Sequence, residues 1–595
     1  MKSNNLLVKF LIWRIKHIPN KNFILILSGV IGIVTGFAAV TLKTSVHYIQ
    51  DFLTSSFDIK YANYLYIGYP LVGILLTLFI AKYFFGEKLG HGITNILYAI
   101  SKKSGIIGKT KIYSRMITSA LTVGLGGSVG LEAPVIVTGS AIGSNIGTLM
   151  HLNYKRRILL IGCGAAGAIS AIFNSPIAGV IFSIEIILAE VTIAAFIPLL
   201  MASVCGALVS LLLLGDNVMF YFELTDPLSA SDIPFYILLG ILCGLGSVYF
   251  TRATYKIEDL VNKIKNDVSK AIIGGMALGL IVFVFPPIYG EGYSTIKTLL
   301  AGHDTEILNS SPFFQQIDNT LFLIIFMIGV ALVKPVASAL TVGAGGSGGL
   351  FAPSLFLGGM AGYLYAKITN LFMGTTLIST SNFTLVGMCG LMSGVLHAPL
   401  TAIFLIAEIT SGYTLFVPLM LVSAIAYSTS SYFETYSVYT KKLIETGDLI
   451  PHDKDRQVLS LIHISKMIEK DLLKIHPDAT LGDLVDLVRI SKRNIFPVVD
   501  EEARLVGIVT LDDIRELMFD EESRKSIYVK SLMHNPPESV SSYESMLSVM
   551  GKFEKTGAWN LPVIDDEKYV GFVSKSRIFN AYRKKLIRQH SEYVS

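Results

Sequence analysis

The sequence predicts an all-α polytopic membrane domain, built as an inverted repeat with broken helices, followed by a cytoplasmic α/β domain. Three observations predict it. Of the 595 residues, 52% are hydrophobic and 16% charged, against roughly 25% charged in a soluble protein. Runs apolar enough to cross a hydrocarbon core of about 30 Å recur at 23–42, 65–84, 158–190, 192–214, 234–251, 271–286, 320–341, 383–407 and 414–429. Two motifs containing glycine or proline occur twice, in the same order, about 220 residues apart.

Residues 1–22 form a basic cytoplasmic N-terminus carrying Lys2, Lys9, Arg14, Lys16 and Lys21. The run after it is long, has no small-residue cleavage site and opens a series of spans, so it reads as a retained helix and not a signal peptide. The membrane domain covers 23–445, with repeats at about 23–215 and 234–445. Lys and Arg also concentrate at 252–270, whereas 215–233 and 302–318 hold acids without a Lys or Arg. The positive-inside bias puts the first of these segments in the cytoplasm and the other two outside, with both termini cytoplasmic. Topology thereby accounts for the net charge of +5, and no nucleic-acid partner is expected. Cys163, Cys205, Cys243 and Cys389 lie in apolar segments without metal-ligand spacing, and read as packing residues.

The repeats locate the candidate site. GLGGSVGLEAP (124–134) returns as GAGGSGGLFAP (343–353), and FNSPIAGVIFSIE (173–185) as LHAPLTAIFLIAE (396–408). Transporter halves of inverted topology place their site at the repeat interface, among broken helices. Glycine permits irregular backbone and close approach. A helix beginning at such a break turns free N–H groups and its positive dipole end toward the cavity, which suits an anion. Asn174-Ser175-Pro176 and His397-Ala398-Pro399 read as helix starts, each a polar residue followed by proline in the first turn. Glu185 and Glu408 occupy equivalent positions and read as structural acids that cap a neighbouring helix. Glu132 is a lone acid in an apolar segment, which by default marks function.

After residue 450 the chain becomes charged and contains no spanning run. A linker is expected at 446–466, a first unit at 467–522, a second at 530–586 and a tail at 587–595. The units are diverged copies: NIFPVVDEEARLVGIVTLDDI (494–514) is echoed by NLPVIDDEKYVGFVSKSRI (560–578).

GHGIT (90–94), GLEAP (130–134), GGLFAP (348–353), the NSPIAG and HAPLTA copies and SVYTKKL (437–443) together resemble the ClC chloride channel and transporter family. The units after 450 resemble paired CBS domains. The resemblance implies a homodimeric integral membrane protein of the cytoplasmic membrane, with one chloride pathway per subunit and no enzymatic reaction. It makes Glu132 the gate, whose carboxylate competes with the anion. It assigns anion binding to His91, Ala133, the amides of Leu350 and Phe351, and the Tyr439 hydroxyl. In CBS pairs that bind adenine nucleotides, Thr510, Asp513 and Ser574 occupy contact positions. No cofactor is required; ATP, ADP or AMP at the CBS pair and a purely structural pair both stand open.

The chain departs from the family pattern in several places. His91 and Thr94 replace the serine and proline of the first motif, so either an imidazole or backbone amides alone meet the anion. Leu131 replaces the basic residue before the gate, which weakens steering of anions by field. Ile186 occupies the position of the inner proton-relay glutamate, and Arg577 that of an aspartate in the second CBS unit. Without that relay the sequence leans to a gated passive chloride channel, with a chloride/proton antiporter, using Glu185, Glu190 or a water chain, as the alternative. A membrane sensor without transport and an intramembrane enzyme are remote alternatives. Neither requires duplicated broken helices, and the membrane segments contain no HExxH motif or paired aspartates.

Overall fold

The computed structural model describes residues 6–54, 64–87, 90, 92–188, 193–215, 230–308, 311–313, 319–374, 377–410, 412–448, 459 and 462–591. The chain divides into two compact units, Met1–Leu449 and Ile450–Ser595.

The first unit is helical. Its elements in the first half are α1 (Leu6–His17), α2 (Asn20–Thr54), α3 (Leu65–Tyr83), α4 (Gly92–Lys102), α5 (Lys111–Gly124), α6 (Glu132–Leu149), α7 (Tyr154–Phe173), α8 (Pro176–Phe182) and α9 (Ile193–Leu214). The second half contains α10 (Ile233–Asn262), α11 (Asp267–Val284), α12 (Tyr293–Leu300), α13 (Thr320–Gly343), α14 (Phe351–Met373), α15 (Thr380–Leu396), α16 (Pro399–Ile409), α17 (Phe416–Phe433) and α18 (Lys441–Glu445). Among the described residues, eight helices are long and apolar enough to cross a membrane.

Two apolar runs prove to be interrupted. Asn174 and His397 both adopt left-handed backbone at φ 55°, ending α7 and α15 after their last turns. Pro176 and Pro399 then start α8 and α16, where a missing N–H costs nothing. Conversely, α6 and α14 fall outside the apolar runs read from the sequence, yet both are buried along most of their length. Their small residues lower hydropathy while permitting close packing. α6 packs along α7 as α14 packs along α15.

The halves meet in reciprocal contacts. Gly130 N–H donates to Gly349 O at 2.9 Å, and Gly349 N–H to Gly130 O at 2.8 Å. Thr341 Oγ1 accepts from Ser128 N–H at 3.2 Å, and Thr122 Oγ1 from Ser347 N–H at 3.0 Å. Each repeat thus supplies the acceptor for its counterpart's turn. The acids behave alike: Glu408 accepts from the Ile177 and Ala178 amides at 3.0 and 2.8 Å, while Glu185 accepts from those of Leu400 and Thr401 at 3.2 and 2.8 Å. Each carboxylate caps the other repeat's half-helix, satisfying first-turn donors and the dipole. Glu408→Ala is therefore expected to cost about 1–2 kcal/mol. Glu408→Gln, which keeps an acceptor, should cost less in thermal unfolding of the detergent-solubilised protein.

The second unit contains α19 (Leu481–Ile490), β1 (Ile495–Val499), β2 (Leu505–Thr510), α20 (Leu511–Ile514), α21 (Glu521–Ser526), α22 (Met546–Thr556), β3 (Asn560–Asp565), β4 (Lys568–Ser574) and α23 (Lys575–Ser591). β1 pairs antiparallel with β2, and β3 with β4. Ile462 and Ile464, at the end of the expected linker, are buried in the core of the second repeat with Val563 and Val573. Glu469 then bridges to Phe572 of β4. The segment leading into the first copy is therefore packed on the second, which ties the two copies together.

Several surface carboxylates here are held below their ordinary range: Asp471 by Arg493, Asp483 by the Thr480 hydroxyl and amide, and Asp565 by Ser542 and Ser541. Their stabilisation is complete above the unfolded aspartate value of about 4 and is lost as pH falls through the depressed values. The unfolding temperature of this unit should hold constant from pH 7 to about pH 5 and drop below about pH 4; circular dichroism melts across that range check it.

Candidate functional site

Glu132 opens α6 at the point where the two glycine-rich turns bond to each other, and it is fully buried. Gly130 makes room for it: a Cβ there would overlap Glu132 Oε2 and lie 2.8 Å from Ala352 Cβ. The carboxyl consequently folds back over the turn toward the start of α14. Glu132 Oε1 accepts a hydrogen bond from the Tyr293 hydroxyl at 2.5 Å. Oε2 is buried without a well-formed hydrogen bond, with the Ala352 amide facing the carboxyl.

α14 starts at Phe351 and makes its first backward bond from Ser354 N–H to Leu350 O, at 3.1 Å. The preceding amides of Leu350, Phe351 and Ala352 have no acceptor within the helix. Phe351 turns its ring away, toward Phe173 and Phe182 at centroid distances of 5.5 and 6.3 Å. Leu350, Phe351 and Ala133 are buried.

Tyr439 completes the constellation. Its ring is buried, and its hydroxyl has no hydrogen-bond partner among the described residues. Its backbone is held from two sides: Thr94 Oγ1 donates to Tyr439 O at 3.0 Å, and the Tyr255 hydroxyl to Val438 O at 2.8 Å. Glu434 braces the same turn through Arg252 and Lys441, each at 2.6 Å. Thr94, which stands where the family motif has proline, thus spends its hydroxyl on positioning Tyr439. His91 and Glu190 lie outside the described residues.

The Leu350 and Phe351 amides and the Tyr439 hydroxyl are, among the described residues, donors without a resident acceptor, which is anion-site chemistry. The site also contains charges that the sequence reading missed. Glu291 Oε1 accepts from Leu131 N–H at 3.2 Å. Lys334, wholly buried, donates to the carbonyls of Ile288, Gly290 and Glu291 at 3.3, 3.1 and 3.3 Å and lies over the Phe356 ring at 4.8 Å. A lysine inside the apolar run 320–341 was the signal available for it. Ile186 is half-buried against the core, and both Glu185 oxygens are committed to α16. The strings GGSVG and GGSGG have the spacing of a nucleophile elbow, but each joins two helices with no preceding strand.

In the second unit, Asp513 accepts from both the amide and the hydroxyl of Thr510 at 2.7 Å, closing a capping box on α20. Ser574 is buried and donates to Glu469 at 2.6 Å, whose other oxygen pairs with Arg493 at 2.6 Å. A carboxylate therefore occupies the hydroxyl that was expected to meet a phosphate.

Fold and site together define a polytopic membrane protein with a buried cluster of hydrogen-bond donors at the junction of two repeats. The family model for voltage gated chloride channels matches residues 72–431, and the CBS domain model matches 464–520 and 529–584. The chain belongs to the voltage gated chloride channel family, whose members transport anions. It is 26% identical over 565 residues to chloride channel protein CLC-f of Arabidopsis thaliana, covering 85% of this chain and 71% of that protein. It is 27% identical over 414 residues to the H(+)/Cl(-) exchange transporter ClcA of Vibrio cholerae, covering 67% and 84%. A slow cyanobacterial Cl-/H+ antiporter superposes with a TM-score of 0.59 at 22% identity, covering 71% of this chain and 97% of that one, a likeness of fold.

Proposed function

We propose that the protein is a chloride/proton exchanger of the cytoplasmic membrane, working as a homodimer with both termini cytoplasmic, in which Glu132 alternates with chloride at the start of α14. This takes the exchanger over the passive channel toward which the sequence leans. The observation that carries it is the Glu132 carboxyl, buried without an ion-pair partner among the described residues, bonded to Tyr293 and facing the Ala352 amide. Burying an isolated carboxylate is costly, so a proton accompanies the side chain when it leaves the positive end of the helix. The relatives named as exchange transporter and antiporter support this choice.

Chloride would be met by the amides of Leu350 and Phe351 and by the Tyr439 hydroxyl, with Ala133 closing the wall. One observation favours a channel instead: Ile186 cannot carry a proton, and Glu185 is spent as a cap. Liposomes loaded with chloride and diluted into low-chloride medium, with external pH recorded, separate the two. Uphill proton movement driven by chloride supports exchange; chloride flux without it supports the channel.

The CBS pair remains a second, regulatory proposal. Adenine nucleotide would engage Thr510 and Asp513, with Ser574 released from Glu469. Binding of AMP, ADP or ATP to the full-length protein that weakens in Asp513→Ala supports it. No binding by any of the three makes the pair a structural element.

A further inference from the structure

We propose that Glu291 is a second proton-holding residue of this gate, exchanging a proton with Glu132 and so setting when Glu132 yields the anion site. The inference rests on the reading of Glu132 as the gate. It begins from a clasp between two short segments. Leu131 N–H donates to Glu291, and the Tyr293 hydroxyl donates to Glu132. Glu291 of the α11–α12 loop and Tyr293, the first residue of α12, therefore grip two consecutive residues at the start of α6. Gly292 adopts left-handed backbone at φ 91°, which turns both of its neighbours toward α6. Phe356 leaves no space for a Cβ at that position.

The clasp is anchored independently of either carboxyl. Lys334 fixes the loop through the backbone carbonyls of Ile288, Gly290 and Glu291, and the Tyr289 hydroxyl donates to Gly124 O at 3.1 Å. Among the described residues, the charged and titratable groups that face Glu291 are Glu132 from α6, Tyr293 from α12, Lys334 from α13 and Lys43 from α2. Lys297 in turn faces Lys43, and Tyr439 faces Glu132.

Two carboxyl groups in one enclosed space are cheaper with a single negative charge between them than with two. Lys43 and Lys334 favour that charge on Glu291, whereas the start of α14 favours it on Glu132. When Glu132 holds the proton it is neutral, and the anion displaces it from the helix start. As the O–H bond on Glu132 breaks, one forms on Glu291; the negative charge moves to Glu132, which reoccupies the site. Glu291 acts through Glu132 and is a positioning residue for the anion.

The test uses full-length protein in liposomes, with anion flux and proton movement measured across a pH series for wild type, Glu291→Gln, Glu291→Asp and Glu132→Gln. Glutamine at 291 keeps an acceptor for the Leu131 amide and removes only the acid. Proton movement per anion in Glu291→Gln is expected to fall about tenfold or more, and the pH dependence of its flux to flatten. In Glu291→Asp the response should persist, displaced toward lower pH by about half a unit. Glu291→Gln superimposing on wild type in both readouts, while Glu132→Gln does not, overturns the inference. Should Glu291→Gln fail to reconstitute, a Glu291→Asp profile identical to wild type overturns it equally. If Glu132→Gln also matches wild type, the gate reading fails and the inference falls with it.

Discussion

Glu132→Gln and Glu132→Ala should both conduct chloride with altered gating and transport no protons. Two physical changes combine in these variants. Neither side chain carries the negative charge that competes for the start of α14, so chloride occupies the site across the pH range. Neither carries a proton between the site and water, so the proposed proton coupling is lost outright. The alanine variant also removes the carboxyl that accepts from the Tyr293 hydroxyl. Loss of a charge-assisted hydrogen bond is worth about 1.5–3 kcal/mol, roughly a tenfold effect or more. Radiolabelled chloride uptake with a parallel pH electrode reads both effects. Unchanged flux, gating and proton movement in both variants would remove Glu132 from its role.

The largest effect on folding is expected from the glycines that let the paired helices touch. A Cβ at Gly164 would overlap the Gly139 carbonyl, and one at Gly139 the Gly164 carbonyl; Gly358 and Gly387 repeat the arrangement between α14 and α15. The obstructing atoms are backbone, so no rotamer change relieves the overlap, and the helices must separate. Gly164→Val should therefore cost about 3 kcal/mol or more, and it would displace α6, which carries Glu132. Without strong hydrophobic attraction between helices in lipid, close packing of this kind is what holds them together. The expected result is a marked loss of properly folded protein on size-exclusion chromatography. Gly551→Val, at a helix position with open space around its Cβ, serves as the control and should leave the profile of the protein unchanged.

Much of this architecture was legible in the sequence because duplication writes the same physics twice. The copies of GGSVGLEAP and FNSPIAGVIFSIE marked the two turns that now bond to each other and the two half-helices whose caps are exchanged. α6 and α14 escaped a hydropathy reading because burial on all sides selects small residues, which score as only mildly apolar. Glu291 and Tyr293 escaped for a different reason: only the fold brings residues 291 and 293 beside 131 and 132. Glu469 shows the same limit in the CBS pair, since no local spacing reveals that a residue of the first copy will reach Ser574 in the second.

The account stands on one claim, that the Glu132 carboxyl lies in a site built for an anion. The most direct test is a crystal structure of Glu132→Gln grown in bromide, read by anomalous scattering. The account predicts a bromide peak within hydrogen-bond reach of the Leu350 and Phe351 amides and the Tyr439 hydroxyl, with the glutamine side chain displaced. A glutamine resting where the carboxyl now lies, with no bromide peak at the start of α14, would contradict it.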